Sequence, residues 1–261
     1  MKLYDCFMYN NEDLILELRL NSLNKFVHKF VIVESTYDHQ GNKKKLNFNL
    51  NNFKKFKDKI IYLKLTKFPK NLTSWERENF NRNYLEQGIK GAEEEDYIMI
   101  SDLDEIPLIK NFDIFEKKKF TVFKQKMIYY RFNLHNITEP DWYGTRACKK
   151  KYLKSPQWLR DQKIKKNSFW NLFKTQWNII QNGGWHFSFL MDAKQIKSKL
   201  NSFAHEEFNN SNFNNLDKIN YSIEHNIDLF NREFSYKKIN FDENFPKYIL
   251  DNKEKFKNWI I

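Results

Sequence analysis

Apolar residues recur along this chain in two rhythms. Short, mostly apolar runs at residues 3–9, 30–33, 59–65 and 97–101 have the length of buried strands. Between them the spacing changes to that of helices. Asn10-Asn11-Glu12-Asp13 supplies a cap and an acidic first turn, and Leu14, Ile15, Leu18, Leu20 and Leu23 follow at helical intervals up to Asn24. Residues 75–87 predict a second helix, closed near Gly88. Strand, helix, strand, strand, helix, strand is the order of an α/β domain with a mainly parallel sheet. In such sheets ligands collect beyond the carboxyl ends of the strands, where Asn10, Glu34 and Asp102 all fall.

After Pro107 the pattern loosens. Residues 120–134, rich in aromatic and β-branched positions, predict one or two strands. Residues 136–162 read as loop, given Trp142-Tyr143-Gly144 and Pro156. Residues 169–180 suit strand or helix. Gly183-Gly184 predicts a sharp turn into a strand through His186, and helices are expected at 192–204 and 217–226, separated by an Asn-rich loop. The tail beyond Arg232 reads as a peripheral extension. The expected organisation is one α/β domain, residues 1–205, with a C-terminal helical extension, 206–261, packed on it.

Composition narrows the class. A chain of 261 residues can bury a full core, and 25 Phe with 7 Trp argue for a folded chain despite the many Lys and Asn. The net charge of +12 is spread over short lysine runs at 43–45, 117–119 and 149–151. Each suits a solvated loop, and together they suit peripheral contact with an anionic membrane. Cys6 and Cys148 give neither a zinc spacing nor a disulfide framework. No signal-peptide pattern or membrane-spanning run is visible, which leads to the expectation of a cytoplasmic protein.

The richest chemistry lies at Ser101-Asp102-Leu103-Asp104-Glu105-Ile106-Pro107, where an apolar strand ends in three carboxylates. Alternation along a strand puts Asp102 and Asp104 on one side. Two like charges there need a cation or protons to coexist, and clustered oxygens suit Mg²⁺ or Mn²⁺. A solvated acidic turn is the alternative. Glu105 joins the pair only if the chain turns before Pro107. His186, in Gly-Gly-Trp-His-Phe-Ser, is a candidate ligand or a packed residue, and Trp185 a sugar platform or a core residue. Glu34 and Ser35 suit a nucleoside or a turn cap. Arg77 and Arg82 suit a diphosphate or a salt-bridged surface, Arg77 sharing a face with Asn81. His205, Glu206, Glu207 and Asp192 are candidates for proton transfer. There is no Walker loop, no G-x-G-x-x-G and no G-x-S-x-G, so ATPase, nicotinamide-dependent and serine-hydrolase chemistries have no support.

The pieces also occur in a telling order. Asn11-Glu12-Asp13-Leu14-Ile15-Leu16-Glu17-Leu18-Arg19-Leu20 is followed by Phe30-Val31-Ile32-Val33-Glu34-Ser35, then Gly41, Leu46 and Phe48. Trp75-Glu76-Arg77-Glu78 with Arg82, the acidic segment 101–107, and Gly184-Trp185-His186-Phe187-Ser188 with Lys199-Leu200 complete the set. This series resembles glycosyltransferase family 17, the N-acetylglucosaminyltransferase III family, from about Tyr4 to Leu200. The resemblance implies a GT-A (Rossmann-like) fold, a UDP-sugar donor, inversion at the anomeric carbon, and a divalent metal at Asp102 and Asp104 with His186 beside it. From the residues themselves, Glu34, Ser35, Arg77, Arg82, Asp102 and Trp185 are expected as donor contacts, and Asp104, Glu105 and Glu207 as catalytic groups. Animal members carry a membrane anchor and stem, and neither is expected here. The expectation is therefore a bacterial-type enzyme acting on a surface glycan or lipid-linked sugar. A nucleotide-sugar-binding protein without transfer, a basic nucleic-acid-binding protein and a sugar nucleotidyltransferase are the competing classes. No nucleic-acid module is visible, and no nucleic-acid partner is expected.

Overall fold

The computed structural model describes residues 1–164, 177–202, 212–243 and 245–261. Four parallel strands form one half of the sheet: β1 (Leu3–Met8), β2 (Lys29–Ser35), β3 (Ile60–Leu65) and β4 (Tyr97–Ser101). Their spatial order is β4-β1-β2-β3. Beyond β4 the sheet continues antiparallel through β8 (Asp141–Lys149) and β6 (Phe120–Tyr129), then β7 (Leu134–Asn136) and β11 (Tyr236–Lys238). Three short strands complete it: β5 (Glu105–Pro107), β9 (Trp177–Ile180) and β10 (Gly184–Ser188). The expected single α/β domain with helices on its sheet is what the chain forms.

The strand alternation explains the two-sided burial. Leu3 and Phe7, Phe30 and Ile32, and Tyr97 and Met99 point into one core. Tyr4 and Cys6, Val31 and Val33, and Ile98 and Ile100 point into the other. The first core is covered by α1 (Asp13–Leu23), the second by α3 (Pro156–Asp161) and by a 3-10 turn at Tyr84–Ile89. That turn continues α2 (Ser74–Asn83), whose start is fixed by a reciprocal cap between Thr73 and Glu76. A third cluster forms where α4 (Ala193–Ser202) and α5 (Leu216–His225) pack beside β6 and β7 through Ile196, Leu200, Ile219 and Leu134.

Two sequence expectations need correction. Residues 136–162 hold a nine-residue strand and a helix rather than loop. Gly144 interrupts the apolar rhythm of β8, yet a Cβ there would lie 2.1 Å from Gln125 Oε1 and 2.8 Å from Glu105, so the close packing demands glycine. The tail beyond Arg232 is not peripheral. β11 pairs with β7, and Phe245, Ile249 of α6 (Lys247–Asp251) and Phe256 are buried in the α1-side core. The backbone of Ile261 is bonded to the Asn133 side chain in both directions.

If the tail belongs to this core, Phe256→Ala removes a fully buried ring and should cost about 3–5 kcal/mol. Urea denaturation of the full chain measures it; a loss below about 1 kcal/mol would show the tail to be only appended.

Candidate active site

The carboxyl end of β4 stops at Ser101, and residues 102–105 make a tight turn closed by Glu105 N–H donating to the Asp102 carbonyl at 3.1 Å. This turn opens on the largest cavity among the described residues, of about 850 Å³. Asp102 and Asp104 both line it, as expected, and so does His186 from β10. Leu103, between them, is buried in the core and fixes the turn.

What holds the turn is Arg19, a fully buried side chain of α1. Its Nε and Nη2 grip both oxygens of Asp5 at 2.8 and 2.6 Å. Asp5 lies between Leu3 and Phe7 on β1, so alternation aims it at α1. Nη1 of Arg19 then donates to the carbonyls of Asp102, Leu103 and Glu105 at 3.2, 3.2 and 2.6 Å. One guanidinium thus ties the first strand, the first helix and the acidic turn together. Burial raises the Asp5 carboxyl above its ordinary range even against Arg19.

Asp102 is paired with Arg82 of α2 at 3.2 Å and with Arg160 of α3 at 2.9 Å. Burial disfavours its charge, but Arg160 and then Arg82 outweigh that and hold the carboxyl below its usual range. Asp104 faces His186, with Oδ1 and Nε2 3.3 Å apart, and Lys199 of α4 at 3.6 Å. Against burial, His186 and Lys199 hold the Asp104 carboxyl low, and Asp104 in turn raises the imidazole above its ordinary value. Lys199 also donates to Glu12 at 2.9 Å and lies 5.7 Å from the Phe189 ring centre. Phe189 itself has φ of 51°, a left-handed conformation strained for a bulky residue, at the cavity wall. Burial raises the Glu12 carboxyl, opposed by Lys199.

Several expected site residues stand elsewhere. Glu105 is fully buried and does not line the cavity. Arg160 grips its two oxygens at 2.7 and 2.8 Å, Trp142 Nε1–H donates at 2.7 Å, and the Asp102 N–H at 3.1 Å. It anchors the turn instead of meeting a ligand. Glu34 is equally buried and accepts from Asn47 N–H, Phe48 N–H and Tyr62 O–H, pinning the loop after β2. Ser35 Oγ accepts from Tyr37 N–H. Arg77 donates to the His39 carbonyl and packs where a Cβ on Gly41 would fall, so it shapes that loop, while Arg82 is the arginine that reaches the cavity. Trp185 is 4 % exposed and packs near Phe187 and Phe245. Gly184 before it serves close strand packing; a Cβ there would lie 2.2 Å from the Ile106 carbonyl of the paired strand β5. Asp192 caps α4 by accepting from Gln195 N–H at 2.8 Å. Glu207, with His205 and Glu206, lies outside the described residues.

The residues that sequence reasoning missed are mainly the cations and aromatics around the acids. Arg160, Lys199, Glu12, Trp75 and Trp142 line the cavity, the two tryptophans being 48 % and 38 % exposed. Glu12 sits at the N-cap of α1 without capping it, which the Asn-Asn-Glu-Asp run does not reveal. Lys199 appeared in the sequence only as part of an ordered series. The basic run 149–151, by contrast, is largely neutralised at home. Lys149 and Lys151 pair with Glu95, and Lys150 with Glu94.

The strand ends of this α/β domain present paired acids and cations to one wide cavity, the place where ligands collect in such sheets. The chain belongs to glycosyltransferase family 17, whose sequence model matches residues 1–260, and it is accordingly a glycosyltransferase. Among solved structures it is similar to S. aureus TarS 1-349, with 14 % identity, 88 % of this chain and 74 % of that chain covered, and a TM-score of 0.41. It is also similar to the Francisella tularensis 2-C-methyl-D-erythritol 4-phosphate cytidylyltransferase IspD, with 10 % identity, 58 % and 74 % covered, and a TM-score of 0.31. No curated protein matches its sequence. No described helix is long and apolar enough to cross a membrane.

Arg19→Met should cost about 3–5 kcal/mol, because it leaves a buried carboxylate without its partner. Adding Asp5→Leu should restore only part of that loss, since the Arg19 contacts to the carbonyls of residues 102, 103 and 105 stay lost, although Asp102 keeps Glu105 N–H and Glu105 keeps Thr145 O–H. Denaturant midpoints of the two variants decide this; full recovery in the double variant would show that the carbonyl contacts contribute nothing.

Proposed function

We propose that this glycosyltransferase moves N-acetylglucosamine, with inversion, from a UDP-linked donor to a hydroxyl of a glycan or lipid-linked sugar, in a GT-A arrangement. The observation that carries the reading is the pairing of Asp104 and His186 on the cavity wall, with Arg82, Arg160 and Lys199 close around the two aspartates. The family suggests a nucleotide-sugar donor. The donor types fit a divalent ion. Asp104 supplies oxygen and His186 nitrogen from opposite sides of one small gap, and Asp102 stands two residues away on the same cavity. Among the described residues no three acidic, Cys or His side chains already converge as a closed site. An open site of one or two protein ligands, completed by substrate phosphate oxygens, is the way Mg²⁺ is usually held, and the imidazole suits Mn²⁺ as well. Asp104 and His186, with Asp102 beside them, would hold the ion, which when bound offsets charge on the departing diphosphate.

The chain's own groups do the rest. Arg82 and Arg160 are fixed in place by Asp102, Glu78 and Glu105 before any ligand arrives, so their guanidinium donors are preorganised within a charge-balanced wall. Lys199 adds a third cation from the other side of Asp104. The exposed face of Trp75 and the indole of Trp142, 5.3 Å from the His186 ring, offer flat surfaces for a base or a sugar. A volume near 850 Å³ holds two reactants together, and their alignment supplies much of the acceleration. The exposed Lys43, Lys45 and the run 117–119 give the same reading a means of peripheral contact with an anionic membrane.

Asp104→Ala should lower UDP release from UDP-N-acetylglucosamine by about 100-fold or more. It should also abolish the rise in melting temperature that Mn²⁺ plus UDP gives the unaltered chain. Turnover and melting shift equal to those of the unaltered protein would defeat the assignment.

A further inference from the structure

We propose that Asp161, at the end of α3, is the general base that takes the proton of the acceptor hydroxyl. The inference rests on the transfer reading above and deepens it. A carboxylate that serves as the base must face the cavity, be free of an ion pair with a neighbouring cation, and be held in one orientation. The described carboxylates lining the cavity are Glu12, Glu78, Asp102, Asp104, Asp141 and Asp161. Glu12 is paired with Lys199, Glu78 with Arg82, and Asp102 with Arg82 and Arg160. Asp104 is paired with His186 and Lys199, and Asp141 with Lys124 at 2.6 Å. Asp161 alone among them has no ion pair within the described residues.

Its single side-chain partner is neutral and is itself held. Gln157, one turn earlier on α3, donates from Nε2 to Asp161 Oδ1 at 2.7 Å. The other end of that amide, Oε1, accepts from Arg82, the arginine that also binds Asp102. Gln157 therefore cannot flip without losing an arginine, and it fixes one oxygen of Asp161 while leaving Oδ2 open. The backbone is fixed as well. Arg146 of β8 donates to the carbonyls of Leu159, Arg160 and Gln162, closing the end of the helix. The same short helix thus carries Arg160 toward the acidic turn and Asp161 along the wall of the same cavity.

The step balances without further reactants. The acceptor oxygen forms a bond to the anomeric carbon of the donor. The bond from that carbon to the diphosphate oxygen breaks, and its electron pair leaves with the nucleoside diphosphate. The hydroxyl proton passes to Oδ2 of Asp161.

The test uses the full chain, Mn²⁺, UDP-N-acetylglucosamine, and water or a panel of simple glycosides as acceptors. Donor binding is followed by calorimetry and UDP release by a coupled assay. Asp161→Asn should bind the donor within about twofold of the unaltered chain, yet release UDP about 10²–10⁴-fold more slowly. Asp161→Glu should recover part of the rate. Gln157→Leu should give an intermediate loss in kcat, with Asp161 still present. UDP release by Asp161→Asn within threefold of normal overturns the proposal. So does donor binding by the unaltered chain with no release toward any acceptor of the panel. An unaltered chain that binds no UDP-sugar instead overturns the donor reading, and the base assignment falls with it.

Discussion

The site depends on one buried ion pair. Asp5 and Arg19 meet in the core between the first strand and the first helix, where neither is exposed. Taken alone, such a pair is a weak source of stability, because desolvating two charges offsets most of their attraction. Its value here lies in the third nitrogen. Having satisfied Asp5, Arg19 still has donors to place, and the carbonyls of the turn after β4 are what they meet. Without Arg19 the Leu103 carbonyl would lose the donor that reaches it, and those of Asp102 and Glu105 would keep only Glu105 N–H and Thr145 O–H. Arg19 fills that need and so sets the height at which Asp102 and Asp104 enter the cavity.

Above that clamp the problem is like-charge repulsion. Asp102, Asp104 and Glu105 follow within four residues, and the protein meets the conflict by surrounding them with cations, one of which serves two of the three. Glu105 turns inward to Arg160 and Trp142. Asp102 is shared between Arg82 and Arg160. Asp104 looks the other way, to His186 and Lys199. The cations come from α2, α3, β10 and α4, so the acidic turn is the point at which four elements converge. Arg160 binds two of the three acids and couples the buried anchor to the cavity wall. The result is a region of densely balanced charge, which costs little to keep folded and which a charged ligand can enter by exchanging partners.

Much of this was legible in the sequence, for identifiable reasons. β1, β2 and β4 are short apolar runs with no competing period, and they fold where they were read. Asp102, Asp104 and His186 reach one cavity because strand ends gather on one edge of an α/β sheet. The failures share a cause too. Glu34, Glu105 and Trp185 sit at strand ends like true ligands, but which way such a residue faces is decided by packing partners far along the chain. Phe48 and Tyr62 decide it for Glu34, and the close approach of β5 for Trp185. Helix α3 was hidden because it is only six residues long and its charged face, Gln157 with Arg160 and Asp161, looks like solvent-facing loop. The tail was misjudged because its many Asn and Lys mask the apolar positions that pack, Phe245, Ile249 and Phe256 fully and Ile239, Phe241, Tyr248, Leu250, Trp259 and Ile260 in part.

The Asp-x-Asp pair is therefore informative for a reason beyond its two carboxylates. An acidic turn on a surface needs no partners, since water screens it. An acidic turn 8 % exposed at Asp104 and wholly buried at Glu105 must be matched by cations, and those cations must be placed by the fold. Sequence separations of 20 to 58 residues between Asp102 and its two arginines show that the match is global. A substitution at Arg82 or Arg160 thus changes the acids as surely as a change in the acids themselves, and the site is best understood as one charge lattice. Within it Asp161 differs in kind. Its hydrogen-bond partner is the Gln157 amide, whereas each of the other described carboxylates lining the cavity is ion-paired with a cation.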